Sequence, residues 1–475
     1  MRKFALYSFI ISSAVATPAA AQTLSAAGLR EESCGVTQTE HSLPAQWEYI
    51  EGFTQTLPSD DKWWRQFDDP VLNELMQLAE ANNYDLAAAY RRIESAEGIL
   101  TQTRAGFYPS LSFSGGWQQE RSSGLSSKDP ARAATDRFFS LGLQMNWEID
   151  VFGRVAAKAK ASKASLDATR AEYAGAQISL AANLATAYVS LREAQADLSI
   201  LKDHLESQEK VVKIAEARSE AGIGNKLEVS QARQVYLQTE ARIPSVNARI
   251  DAGVNSLALL CGVYPEQIEE KLRKSVPMPI LLLAPETGVP NDLLRRRPDI
   301  LQAEKKLAEA AALAGVAKKD FLPVLSLSAS AGTEARRADN LFRDQSFTYT
   351  IAPTLSWTIF EGFARRGALA EARANMEEAI DNYNQTVHSA VSEVNTAMAN
   401  LSYSIQAIQS NLKLLDQTRE TFRLSLDLYK RGLTEFQNVT DAQITQLEAE
   451  STLIDSKAQS LIYAITLYRA LGGGY

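Results

Sequence analysis

Two periodicities divide this chain. Over Ser140–Trp147 apolar and polar positions alternate without a break, with Leu141, Leu143, Met145 and Trp147 on one face and Ser140, Gly142, Gln144 and Asn146 on the other. A period of two is that of a β-strand with unlike faces. Thr348–Trp357 repeats it, placing Tyr349, Ile351, Pro353, Leu355 and Trp357 opposite Thr350, Ala352, Thr354 and Ser356. Each is preceded by a similar strand, Leu111 and Phe113 against Ser112 and Ser114, then Leu325 and Leu327 against Ser326 and Ser328. The pattern predicts strands over about 107–118, 138–150, 321–332 and 346–358. Elsewhere long proline-free stretches rich in Ala, Glu, Lys, Gln and Leu predict helices over about 153–220 and 364–431. At ~1.5 Å per residue each would reach roughly 100 Å. Returning helices are expected over about 226–261 and 436–471, and shorter ones over about 82–105 and 299–319. Stacked end to end, a short and a returning helix nearly match a long one, which predicts a layer of paired struts.

The chain is also written twice. A block from about 82 to 262 returns from about 298 to the end. Phe107-Tyr-Pro-Ser-Leu-Ser-Phe-Ser114 corresponds to Phe321-Leu-Pro-Val-Leu-Ser-Leu-Ser328, each closing a helical run and opening a strand. At a constant offset of 210, Trp147 pairs with Trp357, Gly222 with Gly432, Val229 with Val439 and Ala232 with Ala442. The expected organisation is therefore a leader over 1–21, an N-terminal segment over 22–70, a first repeat over 71–262, a linker over 263–297 and a second repeat over 298–475.

A strand with one apolar face and one small, hydroxylated face suits a barrel wall with lipid outside and water inside; two amphipathic hairpins on a soluble core are the alternative. Strand lengths of about 9 to 11 residues and a Trp closing each second strand favour the membrane. Four strands cannot close such a wall, because about eight is the smallest workable barrel and open edges strand backbone groups in hydrocarbon. Several copies must share one barrel, two copies giving eight strands and three giving twelve. In the helices, Ala181-Ala-Asn-Leu-Ala-Thr-Ala-Tyr188 and Val387-His-Ser-Ala-Val-Ser-Glu-Val394 mix Ala with polar residues, as in a curved wall wet on its inner side. A long coiled coil that binds another protein is the competing reading of these segments.

Composition narrows the setting. Arg2 and Lys3, the apolar run Phe4–Val15 and the small residues Pro18–Ala21 read as a secretory signal. Its removal takes the net charge from −8 to −10, which does not suit nucleic acid. No later run of about 18 apolar residues predicts a membrane helix. His41, His204 and His388 are scattered without metal-ligand spacing, and no phosphate loop, nucleophile elbow or dinucleotide fingerprint occurs, so neither an enzyme nor a cofactor is expected. Cys261 closes a helix and reads as a small buried residue. Ala221-Gly-Ile-Gly-Asn-Lys226 and Arg431-Gly-Leu-Thr-Glu-Phe436 each put glycine where a helix must stop and reverse. Arg295-Arg-Arg-Pro-Asp299 reads as a helix junction, with Pro298 at the start and Asp299 in the first turn.

The doubled plan, Trp147-Glu-Ile-Asp-Val-Phe-Gly-Arg154, Thr358-Ile-Phe-Glu-Gly-Phe363, Leu294-Arg-Arg-Arg-Pro-Asp-Ile300 and Val439-Thr-Asp-Ala-Gln443 resemble the outer membrane factors. These are the TolC-type channels, and the likeness is to the NodT-like branch that serves resistance-nodulation-division efflux pumps. It covers nearly the whole chain after the leader. The resemblance implies a mainly α fold with a membrane β-barrel: a homotrimer with a 12-stranded barrel in the outer membrane and a 12-helix tunnel across the periplasm. It also implies an equatorial girdle from about 263–291, the N-terminal segment and the C-terminal end. The implied function is a passive trimeric conduit that carries small molecules from an inner-membrane pump to the exterior, opened at its periplasmic tip when a periplasmic adaptor and the pump engage. Outer membrane lipid is the remaining partner.

The resemblance assigns roles at the tip. The two turns, with Gly222, Ile223 and Gly224 in one and Arg431, Gly432 and Leu433 in the other, become the adaptor contact. Asp441 matches the aspartate that constricts the periplasmic aperture, and its first-copy counterpart is Gln231, so three-fold symmetry gives a ring of three carboxylates. Two companions depart from the family's pattern: Gln437 stands where an apolar residue is common, and Ile444 where a basic partner is common. Many NodT-like relatives carry an acylated cysteine directly after the signal. Here charged Arg30-Glu-Glu-Ser33 precedes Cys34, so no lipid anchor is expected. Two alternatives remain: the outer membrane channel of a type I protein secretion system, and a periplasmic coiled-coil adaptor or scaffold.

Overall fold

A computed structural model describes residues 47, 48, 53, 62–121, 135–274, 276–279, 287, 288, 290 and 296–473. The leader, Cys34 and most of the N-terminal segment lie outside the described residues. Helix α1, Pro70–Asn82, starts on a proline at its first positions, and the Asp69 side chain accepts from the Val71 and Leu72 amides. Asn83 ends α1 and starts α2, Tyr84–Ala105, by accepting from the Leu86 amide. Strands β1 (Ser110–Arg121) and β2 (Thr135–Ile149) follow, then α3 (Arg154–Glu220), α4 (Lys226–Glu240), α5 (Ile243–Leu260) and the short α6 (Glu269–Arg273). The second half runs α7 (Pro298–Lys319), β3 (Val324–Ala335), β4 (Phe347–Ser356), α8 (Ala364–Lys430) and α9 (Phe436–Ala470).

The strands form one antiparallel sheet in the order β1-β2-β3-β4. Its register makes each face chemically continuous. Phe113 sits opposite Leu143 and Leu111 opposite Met145, Trp147 is opposite Leu327, and Leu325, Ala329 and Ala331 face Leu355, Ile351 and Tyr349. The reverse face carries Ser112 beside Gln144, Asn146 beside Ser328 and Ser330 beside Thr350. Leu111, Phe113, Ile351, Tyr349 and Leu355 all stand exposed. An apolar, solvent-accessible sheet face backed by a hydroxylated one is the membrane-wall pattern. Among the described residues no helix is long and apolar enough to cross a membrane.

The long helices match to the residue: α3 and α8 each hold 67 residues, about 100 Å at ~1.5 Å per residue. Along α3 lie α2, α7, α5, α4 and α9, and α8 is lined by α7 and α9. The short and returning helices abut end to end. Gly262 closes α5 with φ +66, and a Cβ there would collide with the Asn82 carbonyl at the end of α1, while the Asn83 side-chain amide donates to the Leu260 carbonyl at 2.9 Å. The second copy builds the same joint, 210 positions later on the side of the returning helix and 214 later on the side of the short one. Gly472 has φ +73, its Cβ would meet the Arg296 carbonyl, and Arg297 donates to the Ala470 carbonyl at 2.9 Å. Arg297 also grips Asp299 and Glu393, so this arginine directly before Pro298 fastens a helix junction, while Arg295 lies outside the described residues.

Several expected boundaries move. The helix expected over 226–261 is two helices, because Pro244 near the start of α5 has no N–H to continue the ladder and the chain turns at Ala241 and Arg242. The strands expected from 107 and 321 begin at Ser110 and Val324. Phe107 and Tyr108 instead donate back into α2, and the Phe107 and Phe321 carbonyls accept the Trp147 and Trp357 indoles at 3.1 and 3.0 Å. The second strands also shift, to Thr135–Ile149 and Phe347–Ser356. Helix α1 was not anticipated. Its Leu72, Leu75, Met76 and Ala79 join Trp63, Trp64 and Phe67 in the largest core, against Tyr188, Leu191 and Leu257. The same core takes in Ala181, Ala182 and Ala185 of α3, small residues that let the helices approach closely.

Candidate functional site

Each helical hairpin ends in the same turn. After α3, the Gly222 amide bonds to the Ser219 carbonyl and the Ile223 amide to the Arg218 carbonyl; after α8, Gly432 bonds to Tyr429 and Leu433 to Leu428. Gly222 and Gly432 have φ of +73 and +74. This bond pattern with a left-handed residue is the Schellman motif, which closes a helix and reverses the chain within a few residues. Nothing lies within 4 Å of a Cβ placed on Gly222, so backbone conformation and not space selects glycine there. Ile223, Arg431 and Leu433 are exposed, while Gly224 is half-buried with the Arg218 side chain and the Ser219 amide close by.

Between these matched turns lies an unmatched fastening. Arg218 of the first hairpin donates to the Lys430 carbonyl at 3.2 Å and lies over the Tyr429 ring at 4.7 Å. The Tyr429 hydroxyl donates to Glu228 of the first hairpin at 2.6 Å. Burial, reinforced by that carboxylate, pushes the Tyr429 phenol up to about 12. Beneath them Tyr429 and Phe436 pack with Val211, Ala215, Ala232 and Val439 into a small core shared by both hairpins. Arg218, Glu228 and Tyr429 were not singled out from sequence. Their signal was available, since at the 210-residue offset they stand against Leu428, Asn438 and Ser219.

Asp441 lies on the exposed side of α9, one turn beyond Gln437. Gln437 donates to its carboxylate at 2.8 Å and accepts from Gln231 of α4 at 3.3 Å. The structure thus brings Asp441, Gln437 and the first-copy counterpart Gln231 into one chain of hydrogen bonds, while Ile444, 36% exposed, makes no part of it. A groove of about 790 Å³ opens between α3 and α4 beside the first tip, lined by Glu216, Lys226, Val229, Arg233 and Leu237, with Arg233 and Glu216 paired at 2.6 Å.

Further along the struts, Glu450 of α9 joins both hairpins. It meets His204 of α3 at 2.9 Å and Arg419 of α8 at 2.9 Å. Burial would raise the Glu450 carboxyl, but His204, Arg419 and Gln446 overcome it and hold the group down at about 2. Cys261 is buried and free, its thiol pushed up to about 11 by burial.

Comparison with known proteins agrees with this architecture. The family described as outer membrane efflux protein matches residues 75–263 and 289–473. The solvent efflux pump outer membrane protein SrpC of Pseudomonas putida is 30% identical over 411 residues, 86% of each chain. The pyoverdine export outer membrane protein OpmQ of Pseudomonas aeruginosa is 29% identical over 443 residues, 91% of this chain and 92% of its own. Among solved structures, the outer-membrane channel OprN superposes with a TM-score of 0.85 at 29% identity, covering 91% of this chain and 97% of that one.

Proposed function

From the premise that the chain belongs to the outer membrane efflux protein family, we propose that three copies form one conduit whose periplasmic end is closed by the second-copy tips and released by an adaptor and pump. The protein is an outer membrane efflux channel with the TolC-like fold, its struts extending into the periplasm. The observation that supports a barrel shared between copies is the sheet: β1 and β4 each have a single neighbour within the chain, and in lipid both edges must find partners; the number three follows from the family resemblance. Joining β4 of one copy to β1 of the next through three copies gives twelve strands, and their hydroxylated faces line the lumen.

At the tip the reading assigns Asp441 to the aperture as a ring of three carboxylates, which attracts cations and resists anions in a water-filled constriction. Gln437 holds each carboxylate and ties it to the first hairpin through Gln231. The exposed turns at Gly222 and Gly432 meet the periplasmic adaptor, and an inner-membrane resistance-nodulation-division pump supplies the cargo. Relatives at 28–30% identity are named for toluene, solvent, antibiotic and pyoverdine export. One channel plan serving such unlike molecules supports a conduit that leaves cargo choice to the pump. The test is single-channel recording on the purified protein together with its mass in detergent. A trimer with a small, cation-selective closed-state current is expected; a monomer without current would overturn the proposal.

A further inference from the structure

The two copies pass from sheet to strut in opposite styles. In the first, Asp150 accepts from the Val155 and Ala156 amides and so caps α3. Arg154 pairs with Glu148 at 2.6 Å, and the left-handed position is a glycine, Gly153. In the second, the equivalents are Phe360, Ala364 and Phe363. Helix α8 has no side-chain cap at its start, and Phe363 takes φ +67 in spite of its side chain. Left-handed φ at a bulky residue and an uncapped helix are both unfavourable. What this turn presents is a larger exposed apolar surface: Ile359 is 84% exposed, Phe360 74% and Phe363 64%, against 59% for Val151 and 43% for Phe152 in the first copy. Phe360 and Phe363 pack edge to face at 5.8 Å, and the exposed Arg366 lies over the Phe363 ring at 5.4 Å. Among the described residues Arg366 has no ion-pair partner, whereas Arg365 is engaged by Glu361 and the Thr358 carbonyl.

We propose that the second-copy turn, from Trp357 to Arg366, is a lipid-contact wedge. Ile359, Phe360 and Phe363 seat among phospholipid chains at the periplasmic boundary of the outer membrane, and Arg366 meets a lipid phosphate. Continuity favours lipid over the next copy of the trimer as the occupant. Trp357 extends the apolar face of β4, where Leu355, Ile351 and Tyr349 are exposed, and aromatic residues with a flanking arginine suit the interface between hydrocarbon and headgroups. Swapping a helix cap for an exposed phenylalanine has no gain in water and a clear one in lipid.

This inference rests on the outer-membrane placement above, so the experiment separates the two. The full chain, carrying benzoylphenylalanine at position 360 or at position 351 in mid-strand, is reconstituted in phosphatidylethanolamine–phosphatidylglycerol vesicles and irradiated. Phospholipid-mass adducts are expected at both positions. Chain-to-chain crosslinks or no adduct at 360, with lipid adducts at 351, would overturn the wedge and leave the barrel standing; no lipid adduct at either position would overturn both. Arg366→Ala should lower phosphatidylglycerol retained in native mass spectrometry several-fold, and unchanged retention removes Arg366 from the phosphate contact. Phe363→Gly, which copies Gly153, should lose retained lipid without losing thermal stability. A fall in stability with retention intact would make the turn purely structural.

Discussion

The two tips share a frame and differ in equipment. Both reverse through a Schellman turn whose glycine stands at φ +73 or +74, since reversing a helix in so few residues has few backbone solutions. The side chains have no such limit. The first tip contributes Arg218 and Glu228, and the second contributes Tyr429, Gln437 and Asp441. A hydroxyl needs an acceptor and a guanidinium needs a ring or a carbonyl, so two identical tips could not fasten to one another in this way. In the proposed trimer the difference also sets the symmetry of the proposed aperture. Six equal tips would present six like groups, whereas unequal ones present the carboxylate only three times. Duplication therefore explains the struts, and divergence explains the fastening between the tips.

The comparison is broken most severely by removing the shared frame. Gly222→Trp and Gly432→Trp force a bulky residue into the left-handed region, at a cost of roughly 1–2 kcal/mol, and place an indole on the face proposed to meet the adaptor. Export measured by complementation of a deletion strain should be lost for both, with trimers still present in the outer membrane. Gly432→Trp should also loosen the closed state, because the Arg218 guanidinium lies 4.0 Å from the Cβ position there. Normal export by either variant would remove the turns from the adaptor contact.

Removing the unmatched fastening should have the next largest effect. Tyr429→Phe deletes the hydroxyl that meets Glu228 at 2.6 Å and keeps the ring beneath Arg218. A hydrogen bond to a charged group contributes about 1.5–3 kcal/mol, so the closed-state current in planar bilayers should rise about tenfold or more. Glu228→Gln should raise it less, because an amide oxygen still accepts. Unchanged currents in both would reduce the pair to local packing. Asp441→Ala tests the other half of the difference: cation preference should fall several-fold with a modest gain in current. Unaltered selectivity would take Asp441 out of the aperture.

The repeat and the sheet were legible because they rest on periodicity and backbone chemistry. Alternation over Ser140–Trp147 and Thr348–Trp357 fixed the sheet faces, and proline-free stretches fixed the long struts. What stayed hidden depends on contacts between distant segments. Helix α1 did carry a local signal, Leu72, Leu75, Met76 and Ala79 at helical spacing behind an Asp69–Pro70 start, but the core it completes is assembled with Tyr188 and Leu257 from distant segments. The break at Ala241 carried a visible signal in Pro244, but a strong helical pattern on both sides masked it. At the tip, glycine and aspartate stood out by type, whereas Tyr429 and Arg218 are ordinary helix residues until folding sets Arg218 and Glu228 against the ring of Tyr429 and its hydroxyl.

The finest test lies farther up the struts, at a pair of glutamates 210 positions apart. Glu240 is exposed, whereas Glu450 is largely buried between His204 and Arg419. Its folded pKa is held down at about 2, well below the ordinary glutamate range. A carboxyl whose pKa is depressed by folding stabilises the protein above its unfolded value and loses that contribution as pH falls toward the folded one. The contribution should be complete above about pH 4.5 and vanish on acidification toward pH 2, reaching at most about 3 kcal/mol per chain. Glu450→Gln should lower the melting temperature at pH 7 by about 2–4 °C and flatten its decline below pH 4.5. Glu240→Gln should leave both unchanged. Equal pH profiles for wild type and Glu450→Gln would show that the hairpins do not depend on this junction and would confine their coupling to the tip.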